Sequence, residues 1–462
     1  MKTVLTALLL LLATPVLAQG PAPGNPAPGN PAQSNTAPAS PPPMAMAANS
    51  SATDVHLGVA SCAGNNCHGA VQPAKASRVA QNEYLIWAQK DKHSKAYAVL
   101  LEDRGKRIAA NLGLPDAEHA EICLNCHADN VPAAQRGPQF QISDGVGCES
   151  CHGGARSWLG THISGVGHAA NLAAGLYPTE RPQARAERCL GCHLGDEKRN
   201  ITHQIMGAGH PPLGFELDTY TAVEPAHFVV DQDYIERKGR PDDAQVWAVG
   251  QAMDVRQRMV ELLDPKNVPK GLQPELVLFD CQACHHPMDQ VQWRARKSTD
   301  LPPGRIRLYD ATAVMLKVIA KRTAPELADK LTQHLTALHK ATNDDWSAVQ
   351  REAVIIRDTA DQLIPQLAKH QFTVEDGRAL AQAVIDNATS GDDLDYSAAQ
   401  QQTMALSSIL AAMKLQGLVD AAHLKTMNDA LGGVYQAVQG DQAYKPDTYV
   451  AALQKFTATL SP

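Results

Sequence analysis

The sequence predicts a mainly α-helical protein with two folded parts. Residues 52–305 hold five clusters that each combine two cysteines with a histidine, separated by frequent Gly- and Pro-containing loop signals. Residues 306–462 contain no cysteine and are rich in Ala, Leu and Gln with helical periodicity. We therefore expect short helices and loops in the first part, followed by a helical bundle of five to seven helices.

In each cluster the histidine directly follows the second cysteine. Two thiols can form thioethers to one porphyrin while the adjacent histidine binds its iron, so the pattern predicts covalent attachment of haem c. The first cluster has four residues between its cysteines instead of two, an insertion that a bulged loop can absorb without moving the histidine. The five attachment sites are Cys62, Cys67 and His68; Cys123, Cys126 and His127; Cys148, Cys151 and His152; Cys189, Cys192 and His193; and Cys281, Cys284 and His285.

Structural zinc sites also use Cys-x-x-Cys pairs with nearby histidines, and they are the main alternative. Zinc sites seldom repeat the direct Cys-His adjacency. The chain has 10 cysteines, and the five clusters use all of them, which leaves none for a disulfide. The pattern therefore favours five covalently attached haem c groups, each with one iron.

The N-terminal residues predict export. Residues 1–18 have a basic residue, a short apolar run and small residues at the expected cleavage positions, which is typical of a secretory signal peptide. Residues 19–51 are almost wholly Pro, Ala, Gly, Asn, Gln and Ser and predict a disordered linker. No later run is long enough to span a membrane, so we expect a periplasmic protein without membrane insertion.

The net charge of −7 argues against nucleic acid and anionic membranes as partners. It favours a basic patch on a redox partner protein. Residues 52–305 offer only about fifty residues for each haem, too few for independent domains. This part is therefore expected to be a multihaem cytochrome c domain, in which short helices and loops surround packed haems.

Local patterns predict several helices and helix starts. Residues 83–101 and 244–263 have the clearest helical periodicity in the first part. In residues 306–462, Ser347 with Gln350 and Ser397 with Gln400 have the form of capping boxes. Pro446 precedes the last apolar run, and Gly391 and Gly417 predict breaks. Because this bundle has its own caps and apolar faces, the sequence predicts that it folds separately.

The second axial ligand decides what each haem can do, because a second histidine closes the iron and an open position admits substrate. Nine further histidines lie in the region, enough to close every haem: His56, His93, His119, His162, His168, His203, His210, His227 and His286. We favour His93, His162, His210 and His286, followed by His168 and His119. Met206 and Met288 are thioether alternatives, and His56, His203 and His227 fit equally well as neighbouring or exposed groups.

At these positions residues 56–288 resemble the cytochrome c-554/c-prime-like multihaem cytochromes. The matching motifs are Trp87…His93-Ser-x-Ala, Gly145-Val-Gly-Cys148-Glu-Ser-Cys151-His152-Gly-Gly…His162 and Gly209-His210-Pro…Phe215-Glu216-Leu217. The resemblance implies electron transfer through closely packed, mostly bis-histidine haems, with His93, His162 and His210 as distal ligands. A fifth haem, the widened first motif and the C-terminal helices depart from it.

Three functions follow as hypotheses. The leading one is an electron carrier that passes electrons between a donor and an acceptor protein, more an electron-transfer protein than a catalyst. The second is an oxidoreductase that acts on a small nitrogen or sulfur compound at one five-coordinate haem. The third makes the C-terminal helical domain a docking or dimerisation module, and it is compatible with either of the others.

Overall fold

The computed structural model describes residues 54–74, 79–268, 274–285, 301, 306–342, 345–415 and 421–460. The predicted signal peptide and linker, His286, Met288 and Gly417 lie outside these residues. The described part is built from α-helices and short 3-10 helices, joined by loops with isolated β-bridges and no strand. The mainly α fold class is confirmed.

The first part contains many short helices, as the loop signals predict. Ten of them precede the long helix at its end, all within the described residues: α1 (Glu83–Lys90), α2 (Asp103–Asn111), α3 (Glu121–His127), α4 (Cys148–His152), α5 (Leu159–Ile163), α6 (His168–Ala173), α7 (Pro182–His193), α8 (His203–Gly207), α9 (Leu217–Val223) and α10 (Gln232–Lys238). Helix α11 (Asp243–Leu263) follows, and it confirms the helix predicted at residues 244–263.

The prediction of one continuous helix across residues 83–101 is wrong. Helix α1 ends at Lys90, and 3-10 helices follow at Lys92–Lys95 and Ala98–Leu101. The break occurs at Asp91, which has extended backbone and whose carboxylate accepts a hydrogen bond from the His93 backbone N–H at 2.9 Å. A side chain that bonds to a neighbouring backbone N–H competes with the helical bond, so Asp91 starts a new turn instead of continuing the helix.

The C-terminal part has seven α-helices among its described residues, within the predicted range. They are α12 (Ala311–Thr323), α13 (Pro325–Ala341), α14 (Trp346–Leu367), α15 (Val374–Thr389), α16 (Tyr396–Leu415), α17 (Ala421–Ala437) and α18 (Pro446–Thr457). Pro446 occupies the first turn of α18 as predicted. Gly391 has φ +82° in the loop that separates α15 from α16.

The two predicted capping boxes are not formed. Asp345 caps α14 by accepting from the Ser347 backbone N–H at 2.9 Å, and Asp395 accepts from the Ala398 backbone N–H at 3.0 Å at the start of α16. An aspartate before each serine therefore takes the capping role, and each serine lies inside its helix. A capping box does form at α15, between Thr373 and Asp376.

The hydrophobic core does not stop at residue 306. One cluster of buried side chains runs from Ala186 on α7 through α11 into all seven C-terminal helices. Helix α11 is buried along most of its length, and Trp247 on it is fully enclosed. The C-terminal helices therefore pack around a helix that precedes the fifth haem motif. No helix in the described residues is both long and apolar enough to cross a membrane.

Candidate haem-binding sites

Short helices end at the histidines of the second, third and fourth motifs. In the second, third and fourth motifs the two cysteines and the histidine form the last turn of α3, α4 and α7. Residues at i, i+3 and i+4 share one face of a helix, so both thiols and the imidazole point to the same side. This is the arrangement that attachment of one porphyrin requires.

The backbone of the fifth and first motifs also closes into a turn that ends at the histidine, and in the first motif this turn contains a bulge. In the fifth motif the His285 backbone N–H donates to the Cys281 carbonyl at 2.8 Å, the bond that a helical turn would make. In the first motif the His68 backbone N–H donates to the Cys62 carbonyl at 3.1 Å, although two more residues intervene. The inner bond from the Cys67 N–H to the Gly64 carbonyl at 2.8 Å closes the extra residues into their own turn.

Each motif histidine lies opposite one histidine from outside the motifs. The distances between ring centroids are 5.9 Å for His68 with His162, 6.3 Å for His127 with His210, 6.2 Å for His152 with His227, 6.2 Å for His193 with His93, and 6.2 Å for His285 with His203. We call these the five ring pairs. The two rings of a pair come from segments that are distant in sequence, so only the tertiary fold brings them together.

The ring separation fits one metal ion between two imidazoles. With metal–nitrogen bonds of about 2.0–2.1 Å and about 1.1 Å from nitrogen to ring centre, two opposed imidazoles place their centroids about 6.3 Å apart. The observed range of 5.9–6.3 Å is close to this value in all five ring pairs.

Hydrogen bonds at Nδ1 orient several of these rings. The Nδ1 atoms of His68 and His93 lie 2.9 Å from a Glu83 carboxylate oxygen and 3.0 Å from an Asp91 carboxylate oxygen, respectively. Backbone carbonyls accept in two other cases, Ala96 from His127 at 2.8 Å and Pro211 from His210 at 2.8 Å. An Nδ1 that donates leaves Nε2 as the nitrogen available to a metal, and such partners hold the ring in position.

Burial controls the charge of the rings. Burial lowers the pKa of His152 to about 3 and that of His193 to about 4, so both imidazoles are neutral at neutral pH. A histidine must be neutral to ligate a metal, so these two imidazoles are in the protonation state that metal binding requires. The carboxylate hydrogen bonds have the opposite effect, because Glu83 raises the pKa of His68 and Asp91 raises that of His93.

Glu149 holds the third motif to the segment before the first. It lies between Cys148 and Cys151, is 3% exposed, and accepts from three backbone N–H groups: Leu57 at 2.8 Å, Gly58 at 2.7 Å and Ala155 at 2.6 Å. Gly58 has φ +97°, and a Cβ there would meet the Gln139 carbonyl oxygen at 2.3 Å, so this contact needs glycine. One carboxylate thus fixes the spacing between the first and third motifs.

Replacing Glu149 with glutamine should lower the free energy of unfolding by about 1.5–3 kcal/mol, the usual contribution of hydrogen bonds to a charged group. The amide presents only one acceptor oxygen to N–H groups that now bond to two. Denaturant titration of the full protein measures the change. Glu121→Gln is the matched control, since Glu121 is exposed on α3 beside the second motif. Equal stability of the two variants would contradict the role of Glu149.

Not all of the histidines favoured from sequence lie in ring pairs. His93, His162 and His210 each face a motif histidine, whereas His168 donates from Nε2 to Glu180 at 2.9 Å. The side chain of His119 is 79% exposed beside Asp116, and that of His56 contacts Asp129 at 2.7 Å. The structure instead brings His203 and His227 to motif histidines. Neither has a local sequence signal that separates it from the other histidines, because its position depends on the tertiary fold.

One comparison with known proteins gives a match. The family model for cytochrome c554 and c-prime matches residues 61–153, which include the first three motifs and His93. Residues 61–153 are therefore similar to cytochrome c554 and c-prime. The match covers about a fifth of the chain and leaves the fourth and fifth motifs and the C-terminal helices outside it. No significant match was found among curated proteins or among solved structures.

The family match supports a class of cofactor and of activity. The match supports a c-type cytochrome with covalently bound haem c that acts in electron transfer. The ring pairs and the paired thiols fit that cofactor. Haem c supplies a one-electron couple at an iron whose axial ligands the protein provides.

Proposed function

We propose that this protein is an exported, periplasmic electron carrier with five haem c groups, each held by two cysteines and two histidines. It passes electrons between a donor and an acceptor protein. The five ring pairs are the single observation that carries this proposal. They assign one histidine from outside the motifs to each motif histidine, which makes all five motifs equivalent in their potential ligands.

The assigned axial pairs follow the ring pairs. The partners are His162 for His68, His210 for His127, His227 for His152, His93 for His193 and His203 for His285. His203 and His227 take the places that the sequence assigned to His168 and His286. The widened motif keeps the hydrogen bond from the histidine backbone N–H to the carbonyl of the first cysteine. This supports a haem at Cys62 and Cys67 as well.

The pairing favours a carrier over the alternative oxidoreductase. Reduction or oxidation of a small nitrogen or sulfur compound needs an iron with an open position. Among the described residues every motif histidine has a second imidazole opposite it, and no motif is left with only one. The protein residues therefore supply and orient both ligands at each motif.

Intact mass of the exported protein should show five covalent haems and the loss of residues 1–18. The ferric protein should contain only low-spin haem and should not bind carbon monoxide in the reduced state. Cys67→Ala tests the widened motif, because it should leave a haem that is attached by one thioether or lost. A mass with four haems in the unmodified protein, or a stoichiometric high-spin signal, would contradict the pentahaem carrier.

A further inference from the structure

A cavity of about 410 Å³ lies between the fifth motif and the C-terminal helices. Its volume falls within the usual range of ligand pockets, about 300–1,000 Å³. Cys281 and His285 line it, and no cysteine or histidine of the other four motifs does so among the described residues. Ala313 on α12 and Leu335 and Leu338 on α13 also line it and are apolar.

The fifth motif is itself hydrogen-bonded to the C-terminal helices. Gln282, between the two cysteines, accepts from the Tyr396 backbone N–H at 3.0 Å and donates to the Asp441 carbonyl at 3.1 Å. It therefore bridges the start of α16 and the 3-10 helix before α18. A residue inside the attachment motif is held by two separate segments of the bundle.

The residue before the motif makes a second connection. Asp280 is 2% exposed, accepts from the Ser397 hydroxyl at 3.1 Å and forms an ion pair with Arg307. Arg307 also lies 3.2 Å from Asp395, the residue that begins α16. Removing one partner of a buried ion pair destabilises a protein, because the other charge is left buried and unpaired. This ion pair therefore holds the motif in place relative to the bundle.

The cavity wall also carries buried polar groups. His339 on α13 is 1% exposed, lies 3.1 Å from Asp310, and its Nδ1 makes no hydrogen bond. Arg258 on α11 lines the same cavity and keeps 21% of its side chain exposed. The Arg258 guanidinium pairs with Asp254 at 2.6 Å. A largely apolar cavity beside Cys281 and His285 suits a ligand with a flat apolar body, as a porphyrin has.

We infer that the C-terminal helices form part of the binding pocket of the haem attached at Cys281 and Cys284, together with residues of α9 and α11 that line the same cavity. This inference rests on the proposed function, because it requires a haem at the fifth motif. The cavity borders Cys281 and His285, and the side chains of Gln282 and Asp280 bond to Tyr396 and Ser397 of α16, which also line the cavity. The C-terminal part of the chain is thus a haem-binding element without a haem motif of its own.

Ala313→Phe in the full-length holoprotein tests the cavity, because the added ring would fill the space next to the fifth motif. We expect one haem per chain to become high spin and the other four to stay low spin, measured by electron paramagnetic resonance and ferric absorption. Ala320→Phe is the matched control. Ala320 is also buried on α12 but does not line the cavity, so overpacking there should leave all haems low spin.

Gln282→Ala provides a milder test that does not depend on tolerance of a large side chain. It should shift the reduction midpoint of one haem in a potentiometric titration. Asn125→Ala, at the residue before the second cysteine of the second motif, is the control that touches no C-terminal helix. Five unchanged low-spin haems in Ala313→Phe, or unchanged midpoints in Gln282→Ala, would overturn the inference. Unmodified Cys281 in the parent protein would overturn the pentahaem proposal instead.

Discussion

Replacing His227 with alanine should convert one haem per chain from low spin to high spin and allow one carbon monoxide to bind after reduction. His227 lies 6.2 Å from His152 between ring centroids, and among the described residues no other histidine outside the motifs forms a ring pair with it. Without that imidazole the iron at the third motif loses its sixth ligand. Magnetic circular dichroism of the ferric protein and a carbon monoxide titration measure both changes.

The corresponding change at His203 should open the haem of the fifth motif in the same way. His168→Ala is the matched control, because His168 contacts Glu180 and lies in no ring pair. It should leave every haem low spin. If His168→Ala opened a haem, or if His227→Ala and His203→Ala opened none, the axial pairs read from the ring separations would be wrong, and His168 and His286 would return as the ligands.

Residues 306–462, expressed alone, should remain unfolded. Helix α11 precedes this fragment, yet its side chains fill the centre of the common core, including Trp247, Val249 and Leu262. Each large apolar side chain that becomes fully buried contributes about 1.5–3 kcal/mol, whereas whole domains are stable by only about 5–15 kcal/mol. Without α11, the fragment therefore loses more stabilisation from buried apolar side chains than the usual stability of a whole domain. Far-UV circular dichroism with urea titration measures the outcome.

A fragment of residues 243–462 is the control for that experiment, because it restores α11 and the fifth motif. It should be helical and unfold cooperatively. A cooperative transition of the shorter fragment at a similar urea concentration would show that the boundary at residue 306, expected from sequence, is a true domain boundary.

Features that are determined by residues close together in the sequence could be predicted from the sequence. The ten cysteines and five adjacent histidines are read directly from local spacing, and the turn at Gly391 and the start of α18 at Pro446 follow from the same kind of signal. His93, His162 and His210 could be singled out because a family motif surrounds each of them. All three face a motif histidine in the structure.

The remaining features depend on contacts that spacing does not encode. His203 and His227 meet their partners only after several loops have folded, so neither resembles a ligand in its local sequence. The buried face of α11 was visible, but periodicity cannot tell which neighbouring helices cover it. Because no cysteine follows residue 284, the sequence suggested a domain boundary near residue 306. The absence of cysteines reflects where haem is attached, however, and it does not mark the end of the hydrophobic core.

The anchoring of Gln282 has a consequence for the order in which the molecule is assembled. Its contacts reach 114 residues ahead to Tyr396 and 159 residues ahead to Asp441. Contacts of such long sequence separation form late, because the intervening chain must first be restrained. The four earlier ring pairs are complete once residue 227 has emerged, whereas the surroundings of Cys281 await nearly the whole polypeptide. We therefore expect the fifth site to mature last, and an interrupted chain to retain four finished sites and one exposed to solvent.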